Sequence, residues 1–400
     1  MQRRRGNVLV LDRRKVLFVQ TTLQPPGGAN TVAAWAIEAL KNEHSVSLLT
    51  WKHPDFEEVN RFYGTSLNES ELGVHPVNPA LRSIIDLDPD PATIQRQSYL
   101  MRLTKKLNSK YDVVISAENE IDFGCRGIQY FHYPYLYGKI QPDIDLLRHR
   151  RFWETLKGSY RPWMLLSGFS YSRMINNLTL VNSDWTGNKV REFYGINPIT
   201  LYPPIPGEFP EMPWDYRENG FVCIGRFCLG KRFETIIGIL AKVRLRIPDL
   251  HLHIIGTPSP FMGEREYYPR FIKAVKENSP WVFLHENLTR EELINLISRH
   301  RYGIHANIEE HFGIAVAEML KAGCIVFVHN SGGQVEIVGR DNRLVYKTEE
   351  EAIEKILHVM SNPYEQLSLI KYLNSRKEMF STERFMRDIQ EIVRQFQGDK

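Results

Sequence analysis

Cysteine is scarce in this chain. Four of 400 residues, Cys125, Cys223, Cys228 and Cys324, are too few to staple a chain of this length into a disulfide framework. Cys223 and Cys228 have neither zinc-like spacing nor a second ligand pair nearby, so a reducing compartment is expected. Long apolar runs are also missing: none reaches the roughly 18 residues needed to cross a bilayer. The opening MQRRRGNVLVLDRRKVLFVQ breaks its short apolar stretch at Asp12, Arg13, Arg14 and Lys15, so no export signal is expected. Charge of one sign is lacking as well. Lys plus Arg number 51 against 47 Asp plus Glu, a net +4 that gives little reason to expect nucleic acid, and no recognisable nucleic-acid module is present. No Gly-x-Gly-x-x-Gly run follows the pair Gly27–Gly28, which disfavours NAD or FAD. No Gly-x-x-x-x-Gly-Lys-Ser/Thr loop occurs, which argues against P-loop ATP hydrolysis.

What is present reads as two α/β domains. Apolar residues make up 42% and charged residues 24%, ordinary for a globular protein, while the length is about twice what one core supports. From Lys15 the order is an apolar strand, a Pro-Pro-Gly-Gly loop, an Ala-rich helix and a strand near 46–50, a βαβ unit. Further strands are expected at 111–116 and 178–183. The proline-rich stretch 197–216 reads as a linker, after which strands at 220–225, 250–256, 281–287, 302–307 and 324–330 alternate with helical segments. That alternation predicts a second doubly wound sheet, with helices over 350–375 and 383–397 at the end.

Five segments could carry chemistry. Arg226 and Lys231 lie in GRFCLGKRFET, between a strand and its following helix, where cations and helix N-termini gather anions; they fit the diphosphate of a nucleotide or, equally, a solvated surface. Glu310 and Glu318 lie in EEHFGIAVAE. A carboxylate within an apolar run needs a partner, and ribose hydroxyls would serve. Were 310–318 helical throughout, the two acids would stand about 12 Å apart, the reach from a ribose to the hexose of a nucleotide sugar. The plainer reading is a helix N-terminus favoured by Glu309 and Glu310, with Glu318 at the surface. The glycines of Asn330-Ser331-Gly332-Gly333 allow a close backbone approach or merely a turn. His132 sits among aromatics in YFHYPYLYGK at 130–139, as a core histidine or a contact for a sugar hydroxyl. The basic, aromatic stretch 148–173 suits a groove for a charged acceptor or an anionic membrane surface.

Taken in order, GRFCLGK at 225–231, EEHFGIAVAE at 309–318, KAGC at 321–324 and NSGG at 330–333 resemble the retaining glycosyltransferases of family 4, the glycosyl-transferases group 1. The resemblance runs through nearly the whole chain. FHYP at 131–134 and VNSDWT at 181–186 bring it closest to the dolichol-pathway α-mannosyltransferases that use GDP-mannose. It implies a GT-B architecture of two Rossmann-like, doubly wound domains facing an interdomain cleft. The expected divisions are 1–203 for an acceptor-side domain, 204–382 for a nucleotide-sugar donor domain and 383–400 for a helix packing back on the first. Carried over by residue, Arg226 and Lys231 would hold the donor pyrophosphate and stabilise the leaving group. Glu310 would face the sugar, Glu318 would hold the ribose, and His132 would contact the transferred hexose. Phe312, Gly313 and Ile314 would supply backbone donors, with Gly27 and Gly28 on the phosphate side.

The resemblance therefore implies retaining transfer of a hexose, mannose in the first instance, to a glycan or lipid-linked hydroxyl, with no cofactor and no metal. GDP-mannose is the favoured donor and a UDP-sugar the second. The other readings are a hexosyltransferase with a soluble or small-molecule acceptor, a nucleotide-sugar epimerase and a noncatalytic nucleotide-sugar binding protein. The expected location is the cytoplasm, with peripheral contact at the cytoplasmic membrane face.

Overall fold

The computed structural model describes residues 13–24, 27–86, 94–136, 161–258 and 267–398. Among these the chain forms two compact units. The first comprises the residues up to Leu180, Val190–Ile199 and those from Met386 onward; the second comprises Val181–Lys189 and Thr200–Phe385.

The sheet of the first unit has strands β1 Lys15–Val19, β2 Ser45–Thr50, β3 Gly73–Pro76, β4 Val113–Ser116, β5 Ile128–Phe131, β6 Leu178–Val181 and β7 Ile199–Thr200, in the order β3-β2-β1-β4-β5-β6-β7. β1 is central because KVLFV is apolar almost throughout, as a strand covered on both faces must be. It runs parallel to β2 and β4, with Val16 beside Val46 and Val113. The helix Gly28–Leu40 buries Val32, Ala33, Ala36, Ile37 and Leu40, a stripe at three- and four-residue spacing. Two strands escape the hydrophobic pattern. β3 is a four-residue piece ending in Pro76, and β5 carries a fully buried Gln129 whose amide donates to Met174 O and Thr179 Oγ1. At the C-terminal end, Gln390 Nε2 donates to Ala39 O at 2.7 Å, and Arg14 Nη1 donates to Val393 O and Phe396 O, both at 2.9 Å.

The second unit repeats the pattern with β8 Glu218–Ile224, β9 His251–Gly256, β10 Val282–Glu286, β11 His300–His305, β12 Ile325–His329 and β13 Val345–Tyr346, all parallel in the order β10-β9-β8-β11-β12-β13. The order reverses between β8 and β11, so their carboxyl ends form the switch point where open α/β sheets bind ligands. β8 and β11 each begin two residues before their apolar patterns, on Glu218 and His300. The polar starts are paired in the ladder, His300 beside Glu218. The expected helix over 350–375 is two helices, Glu349–Met360 and Pro363–Asn374. Pro363 begins the second, and Asn362 caps it by accepting from Tyr364 N and Glu365 N. The last helix is Thr382–Gln395. No helix among the described residues is long and apolar enough to cross a membrane.

Candidate active site

The site in the second unit is built on the carboxyl ends of β8, β11 and β12. After β8 the chain passes through Gly225 and Arg226. Phe227 is fully buried and its N–H donates to Thr257 O, which anchors the loop to the end of β9. A methyl group on Gly256 would stand 1.9 Å from Gly225 O, so a glycine is required there for the two strand ends to approach. Arg226 is exposed. The turn Leu229–Lys231 then carries the Lys231 side chain back across Gly225.

Lys231 Nζ reaches Glu310 Oε2 at 2.6 Å. Asn307 Nδ2 donates to the same oxygen at 2.6 Å, and His305 Nε2 lies 3.7 Å from it. All three contacts fall on Oε2, and among the described residues no hydrogen bond reaches Oε1. Burial raises the Glu310 pKa, but the Lys231 ammonium, His305 and the two donors outweigh burial and hold it at about 2. His305 is 2% exposed. Its Nδ1 meets Gln334 Oε1 at 2.7 Å, while Gln334 Nε2 donates to the carbonyls of Asn307, His329 and Ser331. Those carbonyls only accept, so the Gln334 amide has one orientation, Nδ1 is the protonated nitrogen and Nε2 carries the lone pair. Burial and then the Lys231 charge bring His305 down to about 4, so the ring is neutral at pH 7. Gln334 thereby fastens the two segments following β11 and β12 to one another.

The helix carrying Glu318 is Ile314–Lys321; it does not extend back to Glu310. Glu309 and Gly313 both lie in the left-handed region, at φ 54° and 108°, so residues 309–313 form a turn. The continuous helix that would set the two acids about 12 Å apart is therefore absent. Gly313 occupies the N-cap without a side-chain cap, and the N–H groups of the first turn, beginning at Ile314, point out of the helix end. The Phe312 side chain faces inward, 3% exposed, and stacks on Tyr202 at 5.9 Å between ring centroids. The Glu318 carboxylate is paired with the Arg290 guanidinium, a partner its sequence context did not reveal; Arg290 also donates to Pro206 O at 2.6 Å.

The Asn330–Gly333 loop has a clear packing reason for its glycines. A methyl group on Gly332, at φ 77°, would lie 2.1 Å from Glu310 O, and one on Gly333 would lie 2.5 Å from His311 O. Gly333 N donates to Glu310 O at 2.7 Å and Ser331 Oγ accepts from Glu309 N at 2.8 Å. The close approach is thus to the backbone that presents Glu310. The VNSDWT segment packs here too: Ser183 Oγ donates to His311 O at 2.6 Å. The Glu336 carboxylate accepts from Asp184 N and Trp185 N, both at 2.8 Å, at the start of the helix Asp184–Tyr194.

In the first unit, His132 follows β5. Its Nε2 donates to Ala117 O at 3.0 Å and its backbone N–H to Asn119 Oδ1 at 2.7 Å. Gly27 N donates to Tyr63 Oη at 3.2 Å, and the helix from Gly28 has no side-chain cap. Gly27 is extended, at φ −177°, and a methyl group there would meet nothing within 4 Å, so neither strain nor crowding demands the glycine. A group the sequence did not single out is Glu118, just after β4. Its carboxylate is bound by Thr21 N–H and Thr21 Oγ1, and burial lifts its pKa to about 7 against those hydrogen bonds. The stretch 137–160, with the end of YFHYPYLYGK and the first half of the basic aromatic segment, lies outside the described residues.

The sequence profile of glycosyl transferases group 1 matches residues 207–376. The human GDP-Man:Man(3)GlcNAc(2)-PP-Dol alpha-1,2-mannosyltransferase is 28% identical over 231 residues, covering 52% of this chain and 46% of that protein. The enzyme of the same name from Dictyostelium discoideum is 25% identical over 229 residues, covering 52% and 45%. The mouse enzyme is 25% identical over 292 residues, covering 66% and 59%. The chain therefore spans about half the length of the curated relatives it matches. Among solved structures, the Anabaena protein HepE in complex with UDP and glucose superposes with a TM-score of 0.65 at 14% identity, covering 96% of this chain and 100% of that one. Sucrose-phosphate synthase from Thermosynechococcus elongatus gives 0.69 at 15%, covering 96% and 99%. The fold is the GT-B fold, as the resemblance led us to expect. Residues 207–376, most of the second unit, thus carry the sequence pattern of glycosyl transferases group 1.

Proposed function

We propose that the chain transfers mannose from GDP-mannose to a hydroxyl of a lipid-linked glycan, with retention at the anomeric carbon. The family and the GDP-mannose-using relatives support the donor and the reaction; the relatives' dolichol-linked substrates support the acceptor. The observation that carries the reading is the Lys231–Glu310 pair at the switch point, beside the uncapped start of the helix Ile314–Lys321. An ammonium and a helix N-terminus are suited to the growing negative charge of a departing diphosphate, and they act more strongly in the transition state than before it. Arg226 adds a second cation from the same loop. Glu310 Oε1 is the oxygen left for a sugar hydroxyl, Glu318 with Arg290 recognises the nucleoside, and the backbone amides of Phe312, Gly313 and Ile314, around the helix start, face the donor. His132 and the Gly27–Gly28 turn keep the sugar and phosphate roles that the family resemblance gives them. The leaving phosphate itself takes the acceptor's proton, so no carboxylate is assigned as nucleophile and the paired-carboxylate rules of hydrolases do not apply. No metal or cofactor is assigned to the transfer. Peripheral attachment at a cytoplasmic membrane face belongs to this reading through the basic 148–173 stretch, and vesicle flotation that weakens with salt tests it.

The deciding assay crosses GDP-mannose, UDP-glucose and other nucleotide sugars with lipid-linked and soluble glycans, and determines the new linkage by NMR. An α-linked mannosyl product on the lipid-linked acceptor is expected. UDP-sugar transfer to a soluble acceptor, conversion of donor without acceptor, or tight donor binding with no product would each replace the proposal with one of the other three readings.

A further inference from the structure

At the opposite edge of the second sheet, where the strands begin, Glu218, His251, His253 and His300 each offer one ligand atom, and these atoms all lie within 4.8 Å of one another. Three open their strands; His253 lies two residues beyond His251 on β9 and therefore on the same face. The edge is about 16 Å, five steps along a strand, from the switch point.

The contacts have the dimensions of a coordination shell. His251 Nε2 is 3.3 Å from His300 Nε2 and 3.3 Å from Glu218 Oε2, and His300 Nε2 is 3.8 Å from Glu218 Oε2. Four ligands placed tetrahedrally at about 2.0–2.1 Å from zinc are separated by about 3.3–3.4 Å. Hydrogen bonding has already chosen the ligand nitrogen of His300. Its Nδ1 meets Leu296 O at 2.8 Å, and because a carbonyl only accepts, Nδ1 holds the proton and Nε2 the lone pair. A backbone carbonyl on the far ring nitrogen is the usual outer support of a metal-bound histidine. His253 has the equivalent in His285, whose Nε2 is 2.8 Å from His253 Nδ1. A single N–H on His251 can satisfy either His300 Nε2 or Glu218 Oε2 but not both, so lone pairs and a carboxylate outnumber protons at this point. Space is kept for the ring: a methyl group on Gly220 would come 2.2 Å from His251 Nε2.

We propose that Glu218, His251, His253 and His300 bind one zinc ion that clamps the starts of β8, β9 and β11 together. The site is open to solvent through Glu218, 49% exposed, and His251, 22% exposed, while His300 is fully buried. It takes no part in the transfer chemistry.

The test uses the full chain, stripped with a chelator and dialysed, then titrated with zinc against a chromophoric competitor and separately with cobalt. We expect about one zinc per chain and the intense visible bands of four-coordinate cobalt. At a hundredfold excess over Kd the melting temperature should rise by about 5–10 °C. His251→Asn and Glu218→Gln, both at the exposed edge where folding is not at stake, should each weaken zinc at least about tenfold. Absence of stoichiometric binding by the unsubstituted chain, weak six-coordinate cobalt, or zinc held as tightly by both variants would overturn the proposal. None of these readouts depends on transferase activity, so the reading of the donor site stands or falls separately.

Discussion

Replacing Lys231 by Met should expose the energetics of the Lys231–Glu310 pair, whose side chains are only 20% and 18% exposed. Glu310 lies at about 2 in the folded chain against 4.5 ordinarily, and a shift of that size corresponds to about 3 kcal/mol. Because the folded pKa is depressed, the stabilisation is complete above 4.5 and is lost as pH falls through about 2. Lys231→Met leaves the carboxylate semi-buried without its main counter-charge, and should cost about 3 kcal/mol at pH 7. Glu310→Gln in the same background should recover most of it, giving a coupling of about 2–3 kcal/mol from a double-mutant cycle. Urea unfolding of the full chain at pH 7 and near pH 3 measures this, and the coupling should fall to less than half at the lower pH. Binding separates the roles. Lys231→Met should weaken GDP at least about tenfold, whereas Glu310→Gln, which leaves the ammonium in place, should not; both should lower turnover by about a hundredfold or more. A coupling below about 0.5 kcal/mol would refute the electrostatic account, and equal losses of GDP affinity in the two variants would refute the division of labour.

Gly332→Ala must adopt φ 77° and displace Glu310 O, so it should cost about 2–4 kcal/mol and abolish transfer; a urea midpoint within error of the parent would contradict the packing. Glu336→Ala strips the acceptor from Asp184 N and Trp185 N, and about 2–3 kcal/mol should be lost in the same assay. Glu118 has its folded pKa raised by burial to about 7 against 4.5, so stability falls as pH rises between those values. Glu118→Gln mimics the protonated acid, should match the parent near pH 5 and should exceed it by about 2–3 kcal/mol near pH 8; a pH-independent difference would exclude that shift. His305 is lowered to about 4 from 6.5, so stability is lost as pH falls through that window. His305→Asn should flatten about 3 kcal/mol of that acid slope, read from urea midpoints across the range.

The two doubly wound sheets were legible because β1, β12 and the body of β8 are apolar runs flanked by turn residues, the pattern that a parallel strand covered on both faces imposes. β5 was hidden by Gln129, which is buried only because Thr179 and Met174 accept its amide hydrogens, a pairing made from 45 or more positions away. At the site, motif order located Lys231, Glu310 and Glu318 but not their partners. Nothing near Arg290 marks it as the counter-ion of Glu318, 28 positions on, and nothing in the sequence marks Gln334, which is fully buried and joins two loops. One signal was usable: His305 and Asn307 interrupt the apolar run after Gly303, and buried polar groups at a strand's carboxyl end call for partners. The histidine edge gave less. His251 and His300 are 49 positions apart and lie at strand starts, where apolar periodicity has not yet begun.

The Lys231–Glu310 pair is not explained by stability alone. A buried ion pair is commonly replaceable by packed apolar side chains at no net loss. What the ions supply instead is a fixed charge at the one edge of the sheet where β8 and β11 diverge. The geometry that fixes it is costly: left-handed Glu309, Gly313 and Gly332, an unpartnered His305 Nε2 and a glutamine spent on loop carbonyls. Strain and buried polarity of this kind gather where a sequence serves a ligand rather than its own packing. With Oε2 saturated by Lys231 and Asn307, Glu310 cannot swing to meet a substrate, and a sugar hydroxyl must come to Oε1. Lys231 in turn is already half neutralised, so an arriving diphosphate has to share it, and its extra charge must be matched by Arg226 and the start of the helix at Ile314. That division predicts a donor site whose affinity depends on salt through the exposed Arg226 more than through the shielded Lys231, because screening acts on charges in proportion to their contact with solvent.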